Sequence, residues 1–311
     1  MSDQGLLRPS EEPEEPRLLR TEVLDKWRYL VKVGVWPPLR LADPERWLTN
    51  FHHDEEDVAV ALLNSFVYFN NEMTDRLLET SIRQLAPRVT TEGASYTDRR
   101  IQWLKFLHDV QVTHLIGTED QHDETKSGYM FARKARQILS NPDQVRPASK
   151  LADDLVAGTQ LPVVIVDDFS GTGSQFLEGW NRGYTLEDGS KVSYAELSKN
   201  GAEIYFCPAV CTSEALGVIE DLPHPPKVSA AHILSDRMSV VHPDSEIIPE
   251  YIRDQVPEVV RAATERSGTA EKSFGWGDMG LAIGFEHNTP DTTLPIFYCE
   301  EDGWNKIVTR R

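Results

Sequence analysis

Two adjacent carboxylates followed by a run of small residues are the feature of this 311-residue sequence that most suggests chemistry. Asp167 and Asp168 follow an apolar run, and small residues come shortly after them: Ser170, Gly171, Thr172, Gly173 and Ser174. Small side chains let backbone N–H groups converge on one point, and N–H groups at a helix start favour a bound anion. A carboxylate beside a phosphate needs hydroxyl donors or a cation. The pair and the loop therefore suit a sugar phosphate such as ribose 5-phosphate, with or without Mg²⁺.

The elements on either side predict how this loop is positioned. The run Val163 to Val166 is β-branched and short, which is typical of a strand buried on both faces, and we expect it to end at the two acids. A helix then begins with Phe176 and Leu177. An alternative is a buried strand whose glycine-rich turn binds nothing, with the acids capping the helix. A Walker B strand is a weaker alternative, because the segment Gly117 to Ser127 has no glycine before Lys126 and is a poor Walker A loop.

The stretch Leu161 to Gln175, LPVVIVDDFSGTGSQ, resembles the signature of the type I phosphoribosyltransferases. In that family the two acids receive the ribose hydroxyls of phosphoribosyl pyrophosphate (PRPP), and the loop encloses the 5-phosphate. The resemblance implies these roles for Asp167 and Asp168 and for residues 170–174. Purine-salvage members place an aspartate where this sequence has Gly171, and that aspartate helps to protonate the base. This departure argues against ordinary purine salvage.

A second candidate site follows the first predicted strand, Val112 to Gly117. Lys126, Ser127 and Gly128 open a helix there and supply a cation and N–H donors. In a phosphoribosyltransferase this region holds pyrophosphate, and charge-assisted bonds to phosphate contribute about 1.5 to 3 kcal/mol each. The acidic loop before Lys126 has no zinc-type spacing. We therefore expect Mg²⁺ to be bridged by pyrophosphate, with few direct protein ligands.

Strands and helices alternate from Val112 onward. Ala202 to Val210 and Lys227 to Leu234 are further strand candidates, with helical segments between them. The alternation predicts an α/β fold of the phosphoribosyltransferase-like, Rossmann type, a parallel sheet flanked by helices with ligands at the carboxyl ends of the strands. Before this alternating part, the pattern is helical from Thr21 to about Val110, and one of the predicted helices runs through Phe69. We divide the chain into a disordered proline- and glutamate-rich leader (1–20), a helical lobe (21–110) and an α/β domain (111–311).

The composition restricts the function classes. The sequence is 40% hydrophobic and 26% charged, ordinary values for a soluble chain with a large core. A net charge of −18 argues against non-specific binding to nucleic acid or to an anionic membrane. No apolar run approaches the roughly 20 residues of a membrane span, and the start lacks signal-peptide character. The cysteines Cys207, Cys211 and Cys299 form no disulfide pattern, so we expect buried thiols in a cytoplasmic protein.

The C-terminal segment places polar residues between apolar stretches. Glu286 to Pro295, EHNTPDTTLP, contains two prolines that stiffen it. Together with the helical lobe, the DDFSGTG loop and Trp304, it resembles the phosphoribosyltransferase-like family of bacterial conflict systems. The resemblance implies an anti-phage or toxin-like effector and makes His287, Asn288, Thr289 and Asp291 candidates to face the site. An asparagine–aspartate turn with His287 hydrogen-bonded in the core is an equally open alternative.

Three functions are compatible with these residues. The first is an enzyme that binds PRPP or a related pyrophosphorylated ribose with Mg²⁺, in which Lys126 neutralises the leaving pyrophosphate and no covalent nucleophile is needed. The second is an inactive sensor of the same fold that binds a nucleotide and controls a partner protein of the defence system. The third is a protein-interaction module that acts through the helical lobe. The sequence identifies no acceptor.

Overall fold

The computed structural model describes residues 17–39, 41–115, 127–136, 138–139, 142–301 and 303–310. Most of the predicted disordered leader lies outside the described residues, as does Lys126 with the loop before it. The described helices are, in chain order, α1 (Arg20–Lys32), α2 (Pro44–Leu48), α3 (Glu56–Ser65), α4 (Asn71–Arg83), α5 (Ala86–Val89), α6 (Tyr96–Asp109), α7 (Ser127–Ala135), α8 (Ala148–Val156), α9 (Ser174–Asn181), α10 (Tyr194–Lys199), α11 (Ser213–Glu220), α12 (Glu250–Arg253) and α13 (Val256–Ser267). The described strands are β1 (Val67–Phe69), β2 (Gln111–Thr113), β3 (Val163–Ser170), β4 (Tyr184–Thr185), β5 (Lys191–Val192), β6 (Ile204–Thr212), β7 (Lys227–Val228), β8 (His232–Leu234) and β9 (Ile283–Phe285).

The central sheet is parallel and has the strand order β2–β3–β6–β7. β8 also pairs with β6, further along the strand than β7 does, so the segment predicted as one strand from Lys227 to Leu234 forms two short ones. β3 lies between β2 and β6 and has a neighbour on each side, which explains its continuous apolar run. The predicted α/β fold class is confirmed.

Helices cover both faces of this sheet. Val164 and Val166 of β3 lie in one hydrophobic cluster with side chains of α4, α6 and α7. Val163 and Ile165 lie in another cluster with side chains of α8, α9 and α10. Successive residues of a strand point to opposite faces, so one valine–isoleucine run supplies both cores.

The helical lobe contains a strand that the sequence analysis assigned to a helix. α3 ends at Ser65, and β1 pairs in parallel with β9 from the C-terminal part of the chain. The prediction of a helix through Phe69 was wrong, because Val67 to Phe69 is a short β-branched and aromatic run. Asn70 then caps α4, with its side chain accepting a hydrogen bond from the N–H of Met73.

A shared core joins the lobe to the C-terminal part. Buried residues between positions 23 and 68 form one hydrophobic cluster with buried residues between positions 240 and 308. Arg266 of α13 also donates two hydrogen bonds to the carboxylate of Glu55, one of them 3.0 Å long. The division of the chain at residue 110 stays a prediction, and residues on either side of it pack together.

The cysteines and the helix lengths complete this description. Cys207, Cys211 and Cys299 are all buried and free, as predicted, and burial raises the pKa of the Cys211 thiol to about 12. Across the described ranges, no helix combines the length and the apolar character that crossing a bilayer requires.

Candidate functional site

The two acids lie within β3 and inside the sheet, whereas the sequence analysis expected the strand to end at them. Asp167 lies opposite Pro208 of β6, and the pairing continues to Ser170, opposite Cys211. The expectation that the strand ends at the acids was wrong, because β6 extends alongside β3 and keeps the two backbones paired. The acids are therefore held by the sheet near its carboxyl edge.

Asp167 and Asp168 interact with each other. Oδ1 of Asp167 accepts a hydrogen bond of 2.9 Å from the backbone N–H of Asp168. Burial raises the pKa of Asp167 well above its ordinary value, and the charge of Asp168 and a hydrogen bond between the two side chains raise this pKa further. Two carboxyl groups this close hold one proton more readily than they carry two charges. Asp167 thus keeps a proton at a pH where a free aspartate has lost it.

His287 contacts the second acid. Its Nε2 lies 2.6 Å from Oδ2 of Asp168, and the two side chains are only 9% and 13% exposed. Two rings flank the imidazole, Phe131 of α7 and Phe285 of β9, with centroids 5.4 and 5.5 Å away. The other ring nitrogen, Nδ1, is buried and has no hydrogen-bond partner among the described residues. An unpaired buried polar atom costs about 1 to 3 kcal/mol, and such atoms often have a catalytic or ligand-binding use.

The strand pair β1–β9 fixes the turn that carries this histidine. The N–H of Phe285 donates to the carbonyl of Asn288 over 2.9 Å, and the N–H of Glu286 donates to the carbonyl of Phe69 over 2.9 Å. The Glu286 carboxylate also accepts a 2.7 Å hydrogen bond from the N–H of Asn71, at the start of α4. Contacts from the helical lobe therefore position a C-terminal residue at the sheet.

The small-residue loop is held by the residues packed around it. The hydroxyl of Thr212, at the end of β6, donates to the carbonyl of Gly171. A β-carbon at Gly171 would lie 2.8 Å from Cγ2 of Thr292, and a β-carbon at Gly277 would lie 2.6 Å from Cγ2 of Thr172. Such close approaches accommodate only glycine. The C-terminal segment therefore packs directly on the loop.

The end of the loop next to α9 is exposed to solvent. Ser170, predicted as a loop residue, is the last residue of β3 and is buried. Gly173 has a φ of 78° and precedes α9, and Ser174 at the start of this helix is exposed. The hydroxyls of Thr172 and Ser174 lie 2.9 Å apart. The first N–H groups of a helix have no partner within the helix, so this end offers donors and hydroxyls suited to a phosphate group.

Comparison with known proteins decides the family. The model of the PRTase-CE family matches residues 44–310, which include both acids, the loop and His287. The chain belongs to the PRTase-CE family. This places it among phosphoribosyltransferase-like proteins that resemble effectors of conflict systems, as the sequence analysis expected. No curated protein and no solved structure matches the chain.

In this PRTase-CE protein, Asn288 and Asp291 shape the C-terminal segment through their backbones. The carbonyl of Asn288 closes the turn after Phe285. The carbonyl of Asp291 accepts a 2.7 Å hydrogen bond from the N–H of Trp276, and its Oδ2 lies 4.0 Å from Nη2 of Arg310. Ligand contacts by the two side chains stay predictions.

The second candidate site is described only in part. α7 begins at Ser127, as predicted, and its backbone continues through Gly128. Phe131 of this helix packs in the same cluster as Val164 and beside His287. The helix predicted to hold pyrophosphate therefore lies against the strand that carries the acids. Lys126 itself lies outside the described residues.

Two residues of the PRTase-CE site were absent from the predicted set. Thr212 caps α11, where its hydroxyl accepts a 3.0 Å hydrogen bond from the N–H of Ala215. Its second contact, to Gly171, joins two segments that the sequence does not show to be adjacent. Thr292 has a buried hydroxyl without a partner in the described part of the chain. The sequence signal for Thr292 is limited to the polar composition of residues 286–295.

Proposed function

We propose that this PRTase-CE protein binds PRPP, or a closely related pyrophosphorylated ribose, and transfers its 5-phosphoribosyl group to an acceptor as an effector of bacterial anti-phage defence. Membership of the PRTase-CE family supports a phosphoribosyltransferase-like function. The observation that carries the proposal is the pair formed by Asp168 and His287, 2.6 Å apart and next to a loop that ends at an open helix start. We place the activity in the cytoplasm, where three free buried cysteines are in keeping with a reducing environment.

The two acids would hold the ribose. Asp168 offers carboxylate oxygens to a sugar hydroxyl, and Asp167 offers a carboxyl group that keeps its proton because burial and its neighbour raise its pKa. A donor and an acceptor side by side match the two hydroxyls of a ribose, each of which donates and accepts. The phosphate at the 5-position would then lie at the loop, against the N–H groups of α9 and the hydroxyls of Thr172 and Ser174.

His287 would act as the general base. When the bond between C1′ and the pyrophosphate oxygen breaks, the acceptor forms a bond to C1′ and loses a proton, and Nδ1 of His287 takes that proton. Asp168 would stabilise the resulting imidazolium through Nε2. This role would give a partner to Nδ1, which is buried without one among the described residues.

Mg²⁺ would supply charge neutralisation on the departing pyrophosphate. Within the described residues, no three His, Cys, Asp or Glu side chains are grouped as metal ligands. A protonated Asp167 is also a weak ligand for a hard cation. In this proposal the ion would be held mainly by the pyrophosphate, and Lys126 would supply a further positive charge.

A second candidate function is favoured by the same hydrogen bond. His287 already occupies Oδ2 of Asp168, an oxygen that a ribose hydroxyl would use. In a sensor without turnover, a bound nucleotide would displace His287 and with it the turn fixed by β1 and β9. That movement would reach the helical lobe, where a partner protein of the defence system would detect it.

Calorimetry with PRPP and Mg²⁺ tests the proposal. Asp168→Asn should weaken binding at least tenfold, because the loss of one charge-assisted bond is worth about 1.5 to 3 kcal/mol. Asp188→Asn, an exposed aspartate in the turn between β4 and β5, is the matched control and should leave binding unchanged. Absence of heat at millimolar PRPP would contradict the proposal. Release of pyrophosphate, with water or an added nucleobase as the acceptor of the phosphoribosyl group, identifies the enzyme, and binding without release in the presence of these acceptors favours the sensor.

A further inference from the structure

A groove that is separate from the candidate site lies where the helical lobe meets the segment before α12. It is lined by Leu18 and Asn64 from the lobe and by Arg237, residues 244–250 and Arg253 from the C-terminal part. Its volume of about 710 Å³ falls within the range of about 300 to 1,000 Å³ that is usual for ligand-binding clefts. None of the candidate-site residues lines it, so a ligand bound here would occupy a second site.

The guanidinium group of Arg253 in this groove has few partners. Nη1 donates to the carbonyl of Pro243 and Nη2 to the carbonyl of Ile248, and both hydrogen bonds are 3.3 Å long. Nε is buried without a hydrogen-bond partner among the described residues. Arg237 pairs with Glu246 over 3.4 Å, whereas no carboxylate in the described ranges forms an ion pair with Arg253. A positively charged group with five N–H donors therefore lacks an anion.

A second cation lies beside the groove. Nζ of Lys26, on α1, donates to both the backbone carbonyl and Oδ1 of Asn64, over 2.7 and 2.8 Å. Burial lowers the pKa of Lys26 from its ordinary value, and within the described part of the chain no carboxylate pairs with it. The chain has 50 acidic residues against 32 lysines and arginines, so a cation could readily have been paired with an acid. Two cations without an acidic partner at one groove indicate a site for an external anion.

Acids on the groove restrict the kind of anion. Asp244, Glu246 and Glu250 are exposed and line it, so a doubly charged phosphate group would be repelled. A carboxylate carries one charge, and its two oxygens match the fork of a guanidinium group. The groove is open to solvent, and Leu18 and Ile247 add half-buried apolar surface. An open groove of this kind suits an extended polypeptide segment better than a small molecule, which needs an enclosed pocket.

We propose that this groove binds a segment of a partner protein in which an aspartate or glutamate, flanked by basic residues, pairs with Arg253. The carboxylate receives hydrogen bonds from the guanidinium group, and the basic residues on either side of it face the three exposed acids. Apolar side chains of the same segment contact Leu18 and Ile247. The inference goes beyond the proposed function and does not depend on PRPP binding.

A phage library of random twelve-residue peptides tests the proposal. It is selected against the wild-type chain and counter-selected against Arg253→Gln. We expect the peptides that need Arg253 to share an aspartate or glutamate with lysine or arginine on both sides. One such peptide and its acid-to-amide counterpart are then titrated by calorimetry. The amide should bind about 10- to 150-fold more weakly, the range that one charge-assisted hydrogen bond provides. Arg253→Lys, which keeps the charge but not the fork, should lose less affinity than Arg253→Gln.

Two further variants control for the structural role of Arg253, which also holds two carbonyl groups. Arg83→Gln removes an exposed arginine of α4 that pairs with Glu79 outside the groove, and it should bind the peptide as the wild type does. Asn64→Asp keeps the shape of its side chain and the oxygen that accepts from Lys26, but adds a negative charge at the groove. It should weaken binding of the acidic peptide several-fold and leave the fold intact.

Three results would overturn the inference. The first is a library that yields no peptide dependent on Arg253. The second is an acid-to-amide change that leaves affinity unchanged. The third is displacement of the peptide by PRPP, which would place the peptide in the candidate site and not in a second one.

The Nε–H signal of Arg253 in ¹H–¹⁵N spectra gives an independent readout, and its absence from Arg253→Lys identifies it. Acetate, the smallest carboxylate with a methyl group, is titrated against chloride at equal ionic strength. We expect acetate and the acidic peptide to shift this signal in a saturable way, chloride to leave it in place, and inorganic phosphate to have a smaller effect than acetate. A signal that responds to phosphate but not to acetate would contradict the assignment of a carboxylate site.

Discussion

Nε2 of His287 lies 2.6 Å from Oδ2 of Asp168, although 119 residues separate them in the chain. The bond joins the end of the central sheet to a turn held by the helical lobe, so the candidate site is assembled from three distant parts of the sequence. Under the proposed function Asp168 has two roles, as a carboxylate that binds the sugar and as the group that orients an imidazole.

His287→Gln should separate proton transfer from ligand binding. Glutamine can still donate a hydrogen bond to Asp168, but it cannot accept a proton as imidazole does. We expect pyrophosphate release from PRPP to fall about 100- to 10,000-fold, the usual contribution of a general base, with PRPP affinity changed little. Calorimetry and a pyrophosphate assay measure the two quantities, and the pH–rate profile should lose one limb. Equal losses of affinity and rate would indicate a binding role instead.

Asp167→Asn should stabilise the ligand-free protein at neutral pH. The pKa of Asp167 is raised by burial and by Asp168, so the folded state binds more protons than the unfolded state between the ordinary and the raised pKa. The stabilisation from this group is complete below the ordinary aspartate pKa and is lost as pH rises through the folded value. Asparagine stays neutral and keeps a similar shape, so we expect a gain of about 0.5 to 2 kcal/mol at pH 8 and little change at pH 4.

Denaturant unfolding at several pH values measures this effect. Asp188→Asn provides a control of opposite sign, because hydrogen bonds from Ser190 lower the pKa of Asp188. Its carboxylate contributes stability above the ordinary pKa, which asparagine should reduce. An Asp167→Asn protein that is less stable than the wild type at pH 8 would show that the negative charge is needed for the fold.

The sequence predicts the parts of this site that lie within one stretch of chain. The apolar run of β3, the two acids and the small residues before α9 are local signals, because burial on two faces and a tight turn each restrict composition. The predicted length of β3 was wrong, because the position where β3 ends depends on its pairing with β6 and not on the residues of β3 alone. The alternation of strand and helix patterns along the chain predicted the fold class, because each pattern is also a local signal.

Contacts between distant segments were not predictable in this way. Nothing in the sequence around Val67 indicates that it pairs with Ile283, and this pairing positions His287. The hydrogen bond from the hydroxyl of Thr212 to Gly171 likewise depends on the register of β3 against β6, which the sequence of either strand does not indicate. The roles of Lys126 in pyrophosphate binding and of Asp291 in ligand binding stay predictions.

Glu55→Ala should destabilise the fold without affecting the site. Glu55 is 9% exposed and accepts two hydrogen bonds from Arg266 and one of 2.9 Å from the N–H of His52. Its removal leaves these donors unpaired, at a cost of about 1 to 3 kcal/mol. Glu187→Ala, which breaks an exposed pair with Lys150, should cost less than about 1 kcal/mol. Unfolding curves compare the two, and a similar small loss for both would contradict a structural role for the Glu55 pair.

Gly171→Ala should disturb the loop, and a second substitution at Thr292, one of the residues that would clash, should reverse part of the effect. A β-carbon there would lie 2.8 Å from Cγ2 of Thr292 and 2.9 Å from Cε1 of Phe169, closer than side chains tolerate. We expect a loss of about 1 to 3 kcal/mol in stability together with weaker phosphate binding. Thr292→Ser removes the methyl group but keeps the buried hydroxyl, so the double variant should recover part of both losses. A double-mutant cycle in unfolding free energy and in ribose 5-phosphate affinity measures this coupling, and strict additivity of the two changes would show that the loop does not rest on Thr292.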